Sequence, residues 1–270
     1  MRLVANMGAL TLGSLVTFGD FCRFSGRVLM WLPAGVTRWR NLRLLLPQLY
    51  EVGSRSVPVV LIIGAFVGAV LAVHMVMQFR AIGLVAQMGS IVNVAVLREL
   101  GPVLAGVLLA GRVGGGLTAE LGTMRVTEQI DALRAMGADP LLVLVVPRFL
   151  ACVLLIPVLV MYADFMGILG GYAVSVFVYG VNAQDFWRNA ELAVNAFDVF
   201  YGPIKSVFFG VVIALVSCYK GFRCQAGAAG VGRACTQAFV ANCMSIIAMD
   251  FFLGVALNQI EALFVNRHFL

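Results

Sequence analysis

Residues 119–140, AELGTMRVTEQIDALRAMGADP, form the longest polar-rich segment between the apolar runs of this 270-residue chain. Most residues from Thr127 to Met136 favour helix, and Gly137 followed by Asp139-Pro140 is a typical helix end. The segment therefore predicts a short helix, at about residues 123–137, between two membrane spans. Only 12% of the whole chain is charged, yet this segment carries Glu120, Arg125, Glu128, Asp131, Arg134 and Asp139.

The predicted helix is amphipathic, because its apolar and charged residues separate at three- and four-residue spacing. An apolar face can rest on a membrane domain while the charges meet a soluble partner. The alternative is a solvated connector with ordinary pairs of opposite charges three residues apart. The apolar face comprises Val126, Ile130, Leu133 and Gly137. The charged remainder comprises Arg125, Glu128, Asp131 and Arg134.

The composition predicts an all-α integral membrane protein with one transmembrane domain over residues 1–270. The chain is 61% hydrophobic and its mean hydropathy is +0.98. Several apolar runs approach or exceed the ~20 residues that a transmembrane helix needs. They lack the alternation of barrel strands. The predicted spans are Ser56–Phe79, Ser90–Thr118, Phe149–Tyr179, Gly202–Tyr219 and Thr236–Gln259.

The distribution of basic residues predicts the orientation. Outside the spans, 13 Lys and Arg fall on the side of the N-terminus and of residues 119–148, against 3 on the other side. The positive-inside rule then places the N-terminus in the cytoplasm and the C-terminus outside. The net charge of +6 indicates an anionic membrane surface as partner, and no nucleic acid, because no basic and aromatic stripe suits bases.

The first 50 residues predict interfacial amphipathic helices, broken at Pro33 and Pro47, ahead of a five-span core at residues 51–270. Arginines here alternate with Phe, Leu and Trp, as in helices that lie in the headgroup region. A sixth span at residues 3–19 is the alternative. A cleaved signal peptide is disfavoured, because no small-residue cleavage site follows the apolar run.

Two small-residue pairs mark close helix contacts: Gly64 with Gly68, and Gly111 with Gly115. Glycines four apart let transmembrane backbones touch. The contacts fit either packing within one chain or a dimer seam.

No catalytic or metal site is expected. Residues 111–118, GRVGGGLT, match the spacing of a phosphate-binding loop, but Leu117 stands where the lysine is needed and no strand precedes it. The two histidines, His74 and His268, are far apart. The six cysteines include no C-x-x-C pair, so neither a zinc nor a redox site is indicated. We expect the chain not to be an enzyme.

Charged residues inside the spans are the candidates for function, because a charge near the bilayer centre costs from ~2.5 kcal/mol upward. Arg98 and Glu99 are adjacent in the second span and point about 100° apart, so each needs a separate partner. They either line a substrate cavity or form structural ion pairs. Lys205 can snorkel outward or reach Asp250 on the next helix.

Residues 97–151, from LRELGPVLAG to VVPRFLA, resemble the signature of the MlaE/YrbE permeases. These are the membrane subunits of ABC transporters that work with MCE-domain proteins. The likeness runs from about Leu46 to Asp250 and includes residues 203–207 (PIKSV), 229–234 (AGVGRA) and 249–251 (MDF). The stretch 221–228, GFRCQAGA, is more basic and glycine-rich than the family pattern.

The resemblance implies a fold, partners and a location in the bacterial inner membrane. The fold is an interfacial helix followed by five transmembrane helices, assembled as a homodimer. Each permease binds a cytoplasmic ATPase, which carries ATP and Mg, and an MCE ring caps the outer face. This chain binds no cofactor itself. The coupling residues are then Arg125, Glu128, Gln129, Asp131 and Arg134.

The resemblance also implies a lipid cavity between two permeases. A headgroup phosphate would pair with Arg98 beside Glu99, and acyl chains would lie along Leu61, Val67 and Leu71. An ion-coupled carrier that relays protons through Glu99, Asp164 and Asp250 is the alternative. A lipid-modifying enzyme would need a clustered nucleophile, base or metal set, which the sequence does not offer.

Overall fold

The computed structural model describes residues 2–37, 39–81, 83 and 87–268, and within these ranges the chain is helical apart from short connectors. We number the α-helices α1 to α11 in chain order. Their bounds are Arg2–Thr37, Trp39–Leu49, Val57–Ala81, Met88–Ala95, Gly101–Leu109, Gly115–Val126, Gln129–Ala135, Val146–Ala173, Ala183–Ala193, Ala196–Phe222 and Ala228–His268.

Five helical segments of the described chain are long and apolar enough to cross a membrane, which confirms the predicted all-α membrane fold. The first span joins α2 to α3, the second joins α4 to α6, the third contains α8, and the last two are α10 and α11. Their bounds are Arg43–Arg80, Met88–Val126, Leu141–Val178, Ala196–Phe222 and Ala228–Leu263.

Short π-helical turns, in which hydrogen bonds reach one residue further than in an α-helix, interrupt the spans. Two of them separate α4, α5 and α6 in the second span, at Val96–Leu100 and Ala110–Gly114. The former contains Arg98 and Glu99. Others lie at Tyr50–Ser54, Leu141–Val145 and Val174–Val178.

The predicted breaks at Pro33 and Pro47 are wrong, because Pro33 lies inside α1 and Pro47 inside α2. A proline removes one hydrogen bond and crowds the preceding turn, so a kink is enough to accommodate it. Residue 38, between the end of α1 at Thr37 and the start of α2 at Trp39, lies outside the described residues. The side chains of residues 1–12 and 14 are also outside them, so a sixth span at residues 3–19 is untested.

The described part of α1 packs on the end of α10. The rings of Phe21 and Phe24 meet Tyr219 edge-on, with centroids 5.3 and 5.6 Å apart. Val28 is fully buried. Because successive spans run in opposite directions, α1 shares its end of the molecule with residues 127–140 and 223–227. The opposite end carries α9, the end of α3 and the start of α4.

The glycine contacts are made within the chain. A Cβ added at Gly64 or Gly68 in α3 would overlap the backbone of α8 at Ala163 or Gly167. In the second pair, a Cβ at Gly111 would stand 3.3 Å from the Phe239 ring of α11, but one at Gly115 would meet nothing within 4 Å. Gly64, Gly68 and Gly111 therefore lie at contacts between spans of one chain, whereas Gly115 does not.

Candidate functional site

A group of charged side chains connects the second span with α10 and α11. We call it the charged cluster: Arg98, Glu99, Asp198, Lys205, Asp250 and Glu261. Arg98 donates two hydrogen bonds to the Glu261 carboxylate, at 2.7 and 2.9 Å, and its Nε donates to Asp198. The Arg98 side chain is 24% exposed and that of Glu261 25%. The guanidinium is thus held by two carboxylates at a partly open position.

Lys205 forms the buried half of the cluster. Its ammonium lies 2.9 Å from Glu99 and 2.9 Å from Asp250, and its side chain is 0% exposed. It also donates to the Arg98 carbonyl at 3.2 Å. Of the two alternatives for Lys205, the structure shows the contact with Asp250. Arg98 and Glu99 take separate partners, as predicted.

Tyr201 lies between the two cations. Its ring centroid is 5.4 Å from the Arg98 guanidinium and 4.8 Å from the Lys205 ammonium. Its hydroxyl, with one hydrogen to donate, lies within hydrogen-bonding distance of the Gly254 carbonyl, at 3.1 Å, and of the Asn258 side-chain oxygen, at 3.2 Å, on α11. The ring attracts both cations, while the hydroxyl ties α10 to α11.

The start of α10 fixes Asp198. The Asn195 side chain caps the helix, and the Asp198 carboxylate accepts from the Asn195 backbone amide at 2.7 Å. Such a reciprocal cap satisfies two otherwise free amides at the helix start. The helix cap therefore holds the Asp198 carboxylate in place beside Arg98.

The cluster contains four carboxylates and two cations. Arg98 is therefore already neutralised by protein groups, and an anionic ligand must displace one of them. Glu261 is the more exposed of the two carboxylates, since Asp198 is 1% exposed and is held by the helix cap.

The predicted acyl-chain positions are half-buried. Leu71 packs on the cluster of Val76, Met88, Val92 and Val96, and Val67 lines a small void beside Val96. Gly64 and Gly68 lie on the face of α3 that packs against α8. The exposed side chains of α3 form a second face beside the predicted positions, which we call the outward stripe. Its members include Ile62, Phe66, Val70 and Met77.

The prediction of a single helix over about residues 123–137 is wrong. α6 continues to Val126, and Glu128 takes a left-handed φ of 60° before α7 begins at Gln129. Because the chain turns there, Arg125 pairs with Asp131, at 2.6 Å, instead of Glu128. Arg134 pairs with the same carboxylate at 3.0 Å. Of the predicted pairs of opposite charges three residues apart, only Asp131 with Arg134 is found.

The apolar face of α7 is anchored as predicted. Ile130 is fully buried in the core, and Leu133 packs beside it. Gly137 ends the helix with a φ of 77°, and the Ala138 amide donates to the Leu133 carbonyl at 3.1 Å. The segment thus exposes Glu128, Gln129, Asp131 and Arg134 on a rigid base.

A cleft of about 900 Å³ lies beside α7, between α1 and the end of α10. Arg23, Arg27 and Arg134 line it, together with Arg223. Asp20 accepts a hydrogen bond from Arg223 at 2.6 Å, which raises the pKa of that guanidinium. This end of the molecule is therefore strongly basic, in agreement with the sequence count.

The carboxylates of the alternative carrier are not brought together. Glu99 and Asp250 share Lys205, but Asp164 forms no ion pair with any described residue. It lies in a separate pocket between the second and third spans.

Sequence reasoning missed Asp198, Tyr201 and Glu261. The first two lie before the predicted start of the fourth span at Gly202, and Glu261 lies just after the predicted end of the fifth at Gln259. The N-x-x-D pattern of residues 195–198 is a helix-start signal. It predicts the start of the fourth span where the structure shows it.

Comparison with known proteins identifies the family. The family model described as Permease MlaE matches residues 45–256. A probable ABC transporter permease protein of Synechocystis sp. is 38% identical over 235 residues, covering 87% of this chain and 88% of that protein. The intermembrane phospholipid transport system permease protein MlaE of Haemophilus influenzae is 34% identical over 87% of this chain and 92% of that protein.

A plant protein is also similar. Protein TRIGALACTOSYLDIACYLGLYCEROL 1, chloroplastic, of Arabidopsis thaliana is 36% identical over 85% of this chain and 65% of its own length. The family match spans the first span, the charged cluster up to Asp250, and the polar segment. By this match and these relatives, the chain belongs to the MlaE family of permeases.

Proposed function

We propose that this chain is the membrane-spanning permease subunit of an ABC transporter that moves phospholipids, driven by a separate ATPase. The family match and the names of the Synechocystis and Haemophilus relatives support the transporter class. The name of the Haemophilus relative supports phospholipid as the cargo. The chain would sit in a bacterial inner membrane as a homodimer.

The observation that carries the phospholipid assignment is the two-pronged contact between Arg98 and Glu261. Arginine presents a planar fork that binds a carboxylate or a phosphate in the same geometry. A headgroup phosphate would take the place of Glu261, while Asp198 keeps the guanidinium oriented. Glu99 stays paired with Lys205 at the wall of the cavity. The acyl chains would follow the first span along Leu61, Val67 and Leu71 and the adjoining outward stripe.

The polar segment supplies the proposed contact with the ATPase, which would hold ATP and Mg. Arg125, Glu128, Gln129, Asp131 and Arg134 would meet the partner, and Ile130 would pass its movement into the membrane core. An MCE-domain protein would receive or deliver lipid at the opposite end. The count of basic residues supports a cytoplasmic N-terminus and an external C-terminus.

Lipid retained by the purified dimer tests the phosphate role of Arg98. Arg98→Leu should lose most of its bound phospholipid by mass spectrometry, Arg98→Lys should be intermediate, and Glu261→Gln should keep or gain lipid. Arg80→Leu is the matched control, since Arg80 contacts the Tyr179 carbonyl at the far end of α3. A folded Arg98→Leu dimer with a normal phospholipid load would refute the assignment.

The proposed orientation of the chain in the membrane is tested by labelling its two ends. Single cysteines placed at positions 2 and 270 of a cysteine-free chain should react from opposite sides of the membrane. Labelling of both ends from the same side would contradict the proposed topology and favour a sixth span at residues 3–19.

A further inference from the structure

The cleft between α1, the end of α10 and the residues after α7 lies where two spans end. Its walls include Leu141, the first residue of the third span, and Phe222, the last residue of the fourth. The cleft is therefore near the bilayer surface, at the depth of lipid headgroups. We call it the basic cleft, and its charged lining residues are Asp20, Arg23, Arg27, Arg134, Asp139 and Arg223.

The two carboxylates of the basic cleft already have partners within the protein. Asp20 accepts a hydrogen bond from Arg223 at 2.6 Å. Asp139 accepts one from the backbone amide of Leu141 at 2.9 Å, at the start of the third span. Neither carboxylate is therefore needed by the remaining arginines, and the lining keeps an excess of positive charge.

Two arginines of the basic cleft are open to a ligand. Arg134 pairs with Asp131 at 3.0 Å, but Arg23 and Arg27 form no ion pair or hydrogen bond with any described residue. Both are exposed and lie one helical turn apart on α1. A guanidinium can donate a pair of parallel hydrogen bonds to a phosphate. The accessible groups of the cleft therefore select an anion, and a phosphate suits their geometry.

Aromatic side chains in the cleft indicate the same depth in the membrane. Trp31 of α1 and Tyr219 of α10 both line it. The Tyr219 hydroxyl donates to the Thr17 carbonyl at 3.2 Å, which ties α1 to the end of the fourth span. Tryptophan and tyrosine are enriched at the headgroup level of membrane proteins. A phosphate at this position would therefore most naturally belong to a lipid.

The outer face of α1 favours a membrane, and not a soluble protein, as its neighbour. Leu15, Phe18 and Leu29 are at least half exposed. Because each residue turns a helix by about 100°, these three lie on one side, opposite Phe24, which packs on Tyr219. A helix with such an apolar face and basic residues beside it lies in the interface, with that face toward the acyl chains. An acidic segment of a soluble partner would leave these side chains in water.

We propose that the basic cleft binds the phosphate headgroup of an anionic phospholipid of the cytoplasmic leaflet, with Arg23 and Arg27 as donors. Basic pockets between helices on the cytoplasmic side suit anionic headgroups. By the same helical geometry, both arginines lie between the outer apolar face of α1 and the face that packs on α10. The acyl chains of the bound lipid can then lie along that outer face.

The bound lipid would join α1 to residues 137–141, which follow α7 and line the same cleft. The site is separate from the transport site proposed at Arg98. Only its assignment to the cytoplasmic leaflet rests on the proposed orientation of the chain.

Quenching of Trp31 fluorescence by brominated lipids tests the proposal, with the full-length chain in nanodiscs. Trp39→Phe and Trp187→Phe leave Trp31 as the single tryptophan. All nanodiscs contain phosphatidylglycerol and phosphatidylcholine in equal parts, and the bromine is in the acyl chains of one or the other. Trp31 should prefer phosphatidylglycerol at least about fivefold, the effect of one basic residue near an anionic lipid.

Arginine variants separate the site from the general charge of the surface. Arg23→Gln and Arg27→Gln should each reduce the preference, and together they should abolish it. Arg43→Gln is the matched control and should keep the preference, because it removes the same charge from an exposed position of α2 outside the cleft. A chain that retains Trp187 of α9 in place of Trp31 should show no preference.

Equal quenching of Trp31 by the two lipids would overturn the proposal and favour an acidic segment of a partner protein. A preference that survives loss of both Arg23 and Arg27, or that Arg43→Gln reduces equally, would also overturn it. Excess inorganic phosphate at constant ionic strength should leave the preference unchanged. Its loss would refute the lipid assignment in favour of a free phosphate.

Two further comparisons keep the test decisive. If the double arginine variant does not fold, the comparison of Trp31 with Trp187 in chains that keep both arginines decides the outcome. Arg98→Leu should leave the lipid preference at Trp31 unchanged. Failure at the basic cleft can therefore be told from failure of the phosphate site proposed at Arg98.

Discussion

Two sets of ion pairs in this molecule have similar lengths and different surroundings. In the charged cluster, Lys205 and Arg98 lie 2.7–2.9 Å from Glu99, Asp250 and Glu261. On the polar segment, Asp131 lies 2.6 and 3.0 Å from Arg125 and Arg134. The Lys205 side chain is fully buried, whereas that of Asp131 is 48% exposed. Distance alone therefore does not rank these pairs.

The difference lies in what remains when one partner is removed. Water replaces the lost partner at the surface, so an exposed pair contributes about 0–1 kcal/mol. In the interior the remaining charge has no such replacement, and breaking a buried pair costs about 3–5 kcal/mol. The cluster should thus govern the stability of the fold, and the surface pairs should govern partner contact.

Lys205→Met should have the largest effect on stability. It leaves Asp250, 16% exposed, without its cation, so we expect a loss of about 3–5 kcal/mol and poor expression. Thermal unfolding in detergent measures it. Lys220→Met is the control, because the hydrogen bond that its ammonium makes among the described residues is a long one, to Gln237 at 3.4 Å. Adding Asp250→Leu to Lys205→Met should restore part of the stability, and a failure to do so would contradict a pairwise role.

Arg98→Leu should be the next most harmful. Asp198 keeps its bond from the Asn195 amide and Glu261 is partly exposed, so the loss should be about 1–3 kcal/mol. The proposed dimer should still assemble with the proposed ATPase, as size-exclusion chromatography would show. A loss as large as that of Lys205→Met would mean that Arg98 is mainly structural.

Tyr201→Phe isolates the hydroxyl that ties α10 to α11. The ring stays beside both cations, and only the bonds to Gly254 and Asn258 are lost. We expect a decrease of about 0.5–1.5 kcal/mol, seen as a lowered thermal midpoint with unchanged oligomeric state. An unchanged thermal midpoint would mean that Tyr201 stabilises the protein through its ring and not through its hydroxyl.

Asp131→Ala should change stability least, by less than about 1 kcal/mol, because both of its arginine partners can turn to water. Asp131→Arg should also fold, yet co-purify with less ATPase. Normal ATPase binding and transport by Asp131→Arg would reduce the polar segment to a connector. A strongly destabilised Asp131→Ala would remove the distinction between the two regions.

The sequence was sufficient for the number and approximate position of the spans, because a run of about 20 apolar residues has few alternatives to a membrane helix. It was also sufficient for the end of α7 at Gly137. In both cases the deciding interactions are local, between a residue and its solvent or between near neighbours in the chain.

The partners within the charged cluster needed the tertiary structure. Arg98 meets Glu261 across 163 positions of sequence, and no local pattern links them. Glu128 shows the same limit at short range, since its left-handed backbone changed the partner of Arg125. Helix ends matter more than helix centres here: a six-residue error at the start of α10 hid Asp198.

The π-helical turn at Val96–Leu100 holds one residue more than an α-helical turn would. Deleting one residue here would let the turn close as regular α-helix and would keep the two halves of the span in nearly their present relation. Deleting one residue in α4 or α5 would instead rotate one half against the other by about 100°. Either Gly89 would then leave its contact with Phe186 of α9, or Gly114 would leave Ser217 and Asn242. A single-codon deletion should therefore damage this permease less at the π-helical turn than in α4 or α5, and gaps among related chains should fall at the turn.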